Sequence, residues 1–372
     1  MSILPRPDLE GLLPPKHGGI NHAELEMLGI SPEEVLDFSA NLNPFGPPPS
    51  VREVLGKVDI AQYPDTEVTH LRRVLSQKLG VGVENIMVGN GTTQLIHLAA
   101  LAYLGRGKRA LLIEPSFSEY KIACQISGAS IISHRLSGRN NFRLNIEDTI
   151  RLIGHRPKVI FIGNPNNPTG QYLARAELEK LLSSSQDSLV VLDEAYLSFV
   201  DKPWGSSLEM TRRHNLFVLR SMTKDYALAG LRLGYGVARE EIIATLGRIC
   251  PPWSVNALAQ EAGIAAIKEE GYLKRCQAEL KRAKNFLLTE LSRLGLEPVP
   301  SNANFFLVEV GNATDFRQRL LKRKILVRDC TSFGLPCYIR IAPRTLPECQ
   351  RLIAAAKEVL SEGAIDSRRN RG

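Results

Sequence analysis

Short apolar runs punctuate the middle of the chain and predict strands over 86–88, 110–113, 159–162, 189–192, 216–219 and 233–237. Each is too short for a helix and is bounded by turn residues, as buried strands are. Between them, 94–104 and 174–182 repeat apolar residues at helical spacing. Strands alternating with helices predict an α/β layer whose mostly parallel sheet is covered on both faces. Before this region, Ser50 followed by Glu53 reads as a capping box that opens a helix. Thr66 reads as the cap of another, with Val68, Leu71, Leu75 and Leu79 on one face and Gly80 closing it. After Pro251-Pro252 the pattern changes. A helical stretch over 256–294, broken at Gly271, precedes strands over 305–310, 325–327 and 338–341 and a helix over 346–360. Helices and strands no longer alternate strictly, so 251–362 reads as a smaller α+β domain. Residues 1–45, rich in proline and glycine, read as an arm with a short helix near 32–36. The large domain is then 46–250, and 363–372 a basic disordered tail.

Composition narrows the class. Hydrophobic residues make up 44% and charged residues 23% of 372, ordinary for a globular protein of more than one domain. No apolar run approaches the ~20 residues that span a bilayer, and the proline-rich start lacks the apolar segment of a signal peptide. The six cysteines show no Cys-x-x-Cys pair and no metal-ligand spacing with histidine, which predicts free thiols, no metal and a cytoplasmic location. The net charge of +8 is spread among acids without a basic stripe interleaved with aromatics. An anionic small molecule is therefore the expected partner, and nucleic acid and membrane are not.

The candidate chemistry gathers in the turns. Lys224 lies in a small-residue turn between two predicted core strands, where lysine is seldom placed without a role. Ser221 precedes it and Arg232 follows. A hydroxyl, an amine and a guanidinium suit a phosphorylated aldehyde, with Lys224 as Schiff-base partner. Gly89-Asn90-Gly91-Thr92-Thr93-Gln94 joins a strand to a helix, and amides at such a helix start can hold phosphate. Asp193, in Val190-Val191-Leu192-Asp193-Glu194-Ala195-Tyr196, ends a buried strand at the edge where ligands of open sheets collect. Arg340, in Tyr338-Ile339-Arg340-Ile341-Ala342, either snorkels or points into a cleft. Arg328 is a second anion-binding candidate.

Taken in order, these strings resemble those of fold-type I pyridoxal-phosphate (PLP) enzymes of the aminotransferase class I/II family. Asn164-Pro165-Asn166-Asn167-Pro168-Thr169-Gly170 matches the family's Asn-Pro-x-Asn-Pro-x-Gly string. The resemblance implies a large domain with a seven-stranded sheet and PLP as cofactor. By position it implies that Gly91, Thr92, Thr93, Ser221 and Arg232 cradle the cofactor phosphate and that Phe117 stacks on the ring. Asn167 and Tyr196 would bond its phenolic oxygen, Asp193 its pyridine nitrogen, and Arg340 the substrate carboxylate. Tyr63 would reach the cofactor phosphate of a neighbouring subunit, implying a homodimer with shared sites. Tyr63-Pro64-Asp65 and Asn41-Leu42-Asn43-Pro44 are shared with the branch holding histidinol-phosphate aminotransferase and L-threonine O-3-phosphate decarboxylase. His17-Gly18-Gly19, followed by Asp37-Phe38-Ser39-Ala40, is similar to the decarboxylase in particular, although Ile20 stands between Gly19 and Asn21 where the usual string runs directly into asparagine. The expectation is decarboxylation of a phosphorylated amino acid, threonine phosphate, held by His17, Asn43, Arg328 and Arg340. Aminotransfer from histidinol phosphate is the alternative. Transcription regulators with this fold bind PLP without turning it over, but they carry a helix-turn-helix before it, and an arm of about 45 residues is too short for one.

Overall fold

The computed structural model describes residues 17–369, and before them residues 3, 4, 6–9, 11, 12 and 14. Residues 370–372 of the expected disordered tail lie outside the described residues, as do the remaining positions of the first sixteen. The strands are β1 (Leu36–Asp37), β2 (Ile86–Asn90), β3 (Arg109–Glu114), β4 (Ser130–Arg135), β5 (Val159–Gly163) and β6 (Leu189–Asp193). They continue with β7 (Leu216–Ser221), β8 (Leu233–Val237), β9 (Phe306–Glu309), β10 (Ile325–Leu326), β11 (Arg328–Asp329) and β12 (Tyr338–Ile341).

Seven of them form one sheet in the order β2-β8-β7-β6-β5-β3-β4. Only β8 runs against its neighbours; the other pairs are parallel. Both faces are buried, and successive side chains alternate between two cores. Leu111, Ile160, Val190 and Val218 pack on one side with helices Thr69–Leu79 and Arg175–Ser184. Leu112, Phe161, Val191 and Phe217 pack on the other with helices Gly91–Tyr103 and Ser118–Ile126. The edge strand β4 escapes the sequence pattern because it pairs only with β3 and leaves Ser130, Ser133 and Arg135 partly or fully exposed.

The smaller body is the antiparallel sheet β11-β12-β9 backed by helices Ala313–Leu321 and Leu346–Arg369. Phe306, Phe316, Leu320, Ile339 and Leu352 fill its core. Its boundary is not where the sequence pattern changes. Helix Ala257–Lys268, read as opening the small domain, packs Ala259, Ala262 and Ile267 into the large-domain core. The next helix, Tyr272–Arg293, is 22 residues long, about 33 Å at 1.5 Å per residue. Its Tyr272 and Cys276 lie in the large core, and Ala283, Leu287 and Leu291 in the small one. The arm is also woven in: β1 pairs parallel with β10, and Phe38 is fully buried in the small core.

Local details correct three readings. Ser50 lies inside helix Pro49–Leu55, whose cap is Pro48 without a side-chain bond, so there is no capping box. At the next helix Asp65, not Thr66, accepts from the backbone amides of Glu67 and Thr69, at 3.0 and 2.7 Å. The last helix continues to Arg369, beyond 360 and into the segment read as a disordered tail. No helix among the described residues is long and apolar enough to cross a membrane.

Candidate active site

The carboxyl ends of β2, β3, β5, β6 and β7 share one edge of the sheet, and the residues that follow them line a cavity of ≈ 300 Å³. Thr92 and Thr93 come from the first turn of helix Gly91–Tyr103, after β2. Phe117 follows β3 and Asn167 follows β5. Asp193 ends β6, with Tyr196 just beyond it, and Ser221 ends β7. Lys224 lies in the short helix Met222–Asp225, and Arg232 directly precedes β8. Gly91 does not line the cavity but makes its cradle possible. Its φ is +70°, and a Cβ there would stand 2.7 Å from Arg232 Nη2, so only glycine lets the guanidinium approach the helix start. Free amides and an adjacent guanidinium make an anion site.

The electrostatics are those of a dry pocket. Burial lowers the Lys224 amine to about 8, assisted by Arg340 and Arg232 and opposed by Asp193. Asp193 is buried and accepts from Tyr120 Oη at 2.8 Å and from the Ala195 amide at 3.0 Å. Burial nonetheless raises its carboxyl above the usual range. Such a carboxylate is stabilised by a cation brought against it. Burial also raises the Tyr196 phenol, which accepts from Asn41 Nδ2 at 3.2 Å.

The opposite wall comes from the arm and the small domain. Register pairs Arg328 of β11 directly with Arg340 of β12, so both guanidiniums leave the same face and both line the cavity. Like charges placed opposite each other oppose folding unless an anion joins them. Arg340 is buried; its Nη2 donates to the Ser39 carbonyl at 2.7 Å and its Nη1 to Asn167 Oδ1. Its Nε has no hydrogen-bond partner among the described residues, and the guanidinium lies 5.3 Å from the Phe305 ring centroid. Burial lowers both guanidiniums from their ordinary value. His17 of the arm completes the rim.

One expected substrate contact is not in this cavity, and Tyr63, expected at a neighbouring subunit's cofactor, lies outside it as well. Asn43 is buried elsewhere. Its Nδ2 donates to the Asp225 carbonyl at 2.9 Å and to Tyr272 Oη at 3.3 Å, and its amide donates to the Lys224 carbonyl at 3.0 Å. It braces the lysine turn instead of touching substrate, because those bonds, with Oδ1 accepting from the Phe45 amide at 3.2 Å, use its side-chain polar atoms; Asn41 is the residue of that string that lines the cavity. Tyr63 is 80% exposed and stacks on Trp253 with centroids 4.5 Å apart, outside this chain's cavity. Conversely, Tyr120 and Asn41 were not singled out from sequence. The available signal for Tyr120 was its position in the first turn of the helix after Phe117.

The donor set fits PLP. It offers an anion cradle at the start of helix Gly91–Tyr103, a buried carboxylate that would gain from a protonated ring nitrogen, and an amine poised near neutrality. The comparisons agree. The profile of the family described as aminotransferase class I and II matches residues 33–355. Histidinol-phosphate aminotransferase of Moorella thermoacetica is 36% identical over 90% of this chain and 87% of its own length. The adenosylcobalamin biosynthesis bifunctional protein CobDQ of Leptospira interrogans is 36% identical over 93% of this chain and 41% of its own length. The crystal structure of L-threonine-O-3-phosphate decarboxylase from Porphyromonas gingivalis superposes with a TM-score of 0.78 at 28% identity, covering 87% of this chain and 99% of that one. This chain is thus a member of the aminotransferase class I and II family, a pyridoxal-phosphate-dependent enzyme of fold type I.

Proposed function

We propose that the enzyme decarboxylates L-threonine O-3-phosphate to (R)-1-aminopropan-2-yl phosphate, a step of cobalamin synthesis. The observation that carries this reading is the cross-strand pair Arg328 and Arg340 on one cavity wall. Two guanidiniums suit a small substrate with two anionic groups, and threonine phosphate carries both a carboxylate and a phosphate. The likeness to the Porphyromonas decarboxylase and to CobDQ supports it.

In this reading Gly91, Thr92, Thr93, Ser221 and Arg232 hold the cofactor phosphate, and Phe117 covers the ring. Asn167 and Tyr196 serve its phenolic oxygen. Asp193, steadied by Tyr120, balances the charge of its pyridine nitrogen. PLP, when bound, supplies the electron sink that lets one bond to the substrate Cα break. The protein selects that bond by orientation: Arg340 grips the carboxylate, while Arg328 and His17 hold the phosphate. Loss of CO2 leaves Cα to be reprotonated, and the Lys224 amine, lowered to about 8, can carry that proton near neutral pH. Tyr63, exposed in the single chain, would complete the site of a partner subunit in a homodimer.

The second reading, transamination of histidinol phosphate, is favoured by the 36% identity to the Moorella enzyme. A product assay separates the two. The holoenzyme is expected to release CO2 from threonine phosphate and not to turn over histidinol phosphate with 2-oxoglutarate; the reverse result overturns the decarboxylase reading.

A further inference from the structure

The arm is held at the cavity rim from both sides. The His17 ring meets Glu119 of helix Ser118–Ile126, with Nε2 and Oε1 3.1 Å apart. The other carboxylate oxygen lies 3.0 Å from Nε2 of His97, on helix Gly91–Tyr103. The His17 carbonyl accepts from Arg328 Nη1 at 2.9 Å. One residue therefore links the large domain, through its ring, to the small domain, through its backbone. The ring also leans on Phe117, with centroids 5.9 Å apart.

The next residues fix this path. A Cβ on Gly18 would stand 2.5 Å from the Ser39 carbonyl oxygen, and the Gly19 amide donates to Ser39 Oγ at 2.8 Å. Glu119 is buried. Its hydrogen bonds from His17 and then His97 hold its carboxyl down to about 2, so it is ionised and only accepts. Both imidazoles must then carry a proton on Nε2. For His17 this leaves Nδ1 as the ring nitrogen that can bond a ligand.

We propose that Glu119 is a positioning residue for substrate recognition: backed by His97, it fixes the His17 ring so that the arm forms the wall that receives the substrate's phosphate. A phosphate is met by Nδ1–H of a protonated ring, and the added positive charge is balanced by the Glu119 carboxylate. This rests on the reading that the substrate is phosphorylated, but not on which bond of it breaks.

The test uses holoenzyme and ligand titrations followed by the cofactor's visible absorbance, so no turnover is needed. The pairs are L-threonine O-3-phosphate with L-threonine, and histidinol phosphate with histidinol. Glu119→Gln keeps the shape and removes the charge. It is expected to weaken the phosphorylated member of whichever pair binds about ten-fold, while its unphosphorylated partner shifts by less than about two-fold. Amide hydrogen exchange in 17–21 should accelerate in the same variant. His97→Gln should move both readouts in the same direction by less. An unchanged preference for the phosphorylated ligand in both variants, or an equal loss for both members of a pair, overturns the proposal. Failure of the wild type to release CO2 overturns only the decarboxylation reading, since the binding comparison still stands.

Discussion

The two walls of the cavity are built differently. One is the carboxyl edge of the large sheet, where each functional side chain except Arg232, which directly precedes β8, sits on or just after a buried strand, and its position follows from a strand register that many apolar residues fix. The other is assembled from the arm, from β11 and β12, and from contacts between segments distant in sequence: Arg340 with Ser39, and Arg328 with His17. A wall of the first kind suits an invariant task such as holding a cofactor. A wall of the second kind can be re-aimed by small shifts, which suits a choice among substrates. Arg340 joins the two, since it also donates to Asn167.

If the walls are separable, substitutions should sort by readout. Lys224→Ala, on the cofactor wall, is expected to have the largest effect: loss of turnover and of the visible absorbance of lysine-bound cofactor, with an unchanged far-ultraviolet circular dichroism spectrum. Retained turnover would remove Lys224 from the chemistry. Arg340→Lys keeps charge but loses the planar fork, and should raise KM on the order of ten-fold or more while the cofactor spectrum stays. If the spectrum is lost as well, the walls are not independent. Gly18→Ala forces the arm away from the Ser39 carbonyl. It should raise KM by a few-fold, with a smaller effect on melting temperature, because the pairing of β1 with β10 and the burial of Phe38 still hold the rest of the arm.

The smallest expected effect is a pH dependence of stability to which the cofactor wall contributes. In cofactor-free protein the Lys224 amine is lowered to about 8 from an ordinary 10.5. Between those values the unfolded chain binds more protons, so stability should rise with pH across that window. Lys224→Met should lessen the rise in a comparison of chemical denaturation at the two ends, the buried Lys284 amine, also lowered to about 8, supplying the remainder. An identical slope in both proteins would mean the amine is not desolvated.

The cofactor wall was legible in the sequence because each of its parts is a strand followed by a characteristic turn, readable within about ten residues. Its supports were not. Tyr120 is 73 residues from Asp193, and Asn41 is 155 from Tyr196. Neither Glu119 nor His97 belongs to a recognisable string, and their meaning appears only when the arm lies across them. Asn43 was misplaced for a related reason: an asparagine in a shared string can serve the lysine turn as readily as a ligand, and local pattern does not say which. The domain boundary failed similarly, because Ala257–Lys268 has the apolar face of any buried helix and nothing local says which core it fills.

Helix Tyr272–Arg293 has a consequence for how the molecule comes apart. Its first turns lie in the large core, where Tyr272 stacks on Tyr226, and its last turns in the small core with Phe306 and Leu352. Melting either body strips the packing from half of that rod, and the short piece left behind is a poor helix on its own. The two bodies should therefore denature as one cooperative unit, with a single calorimetric peak.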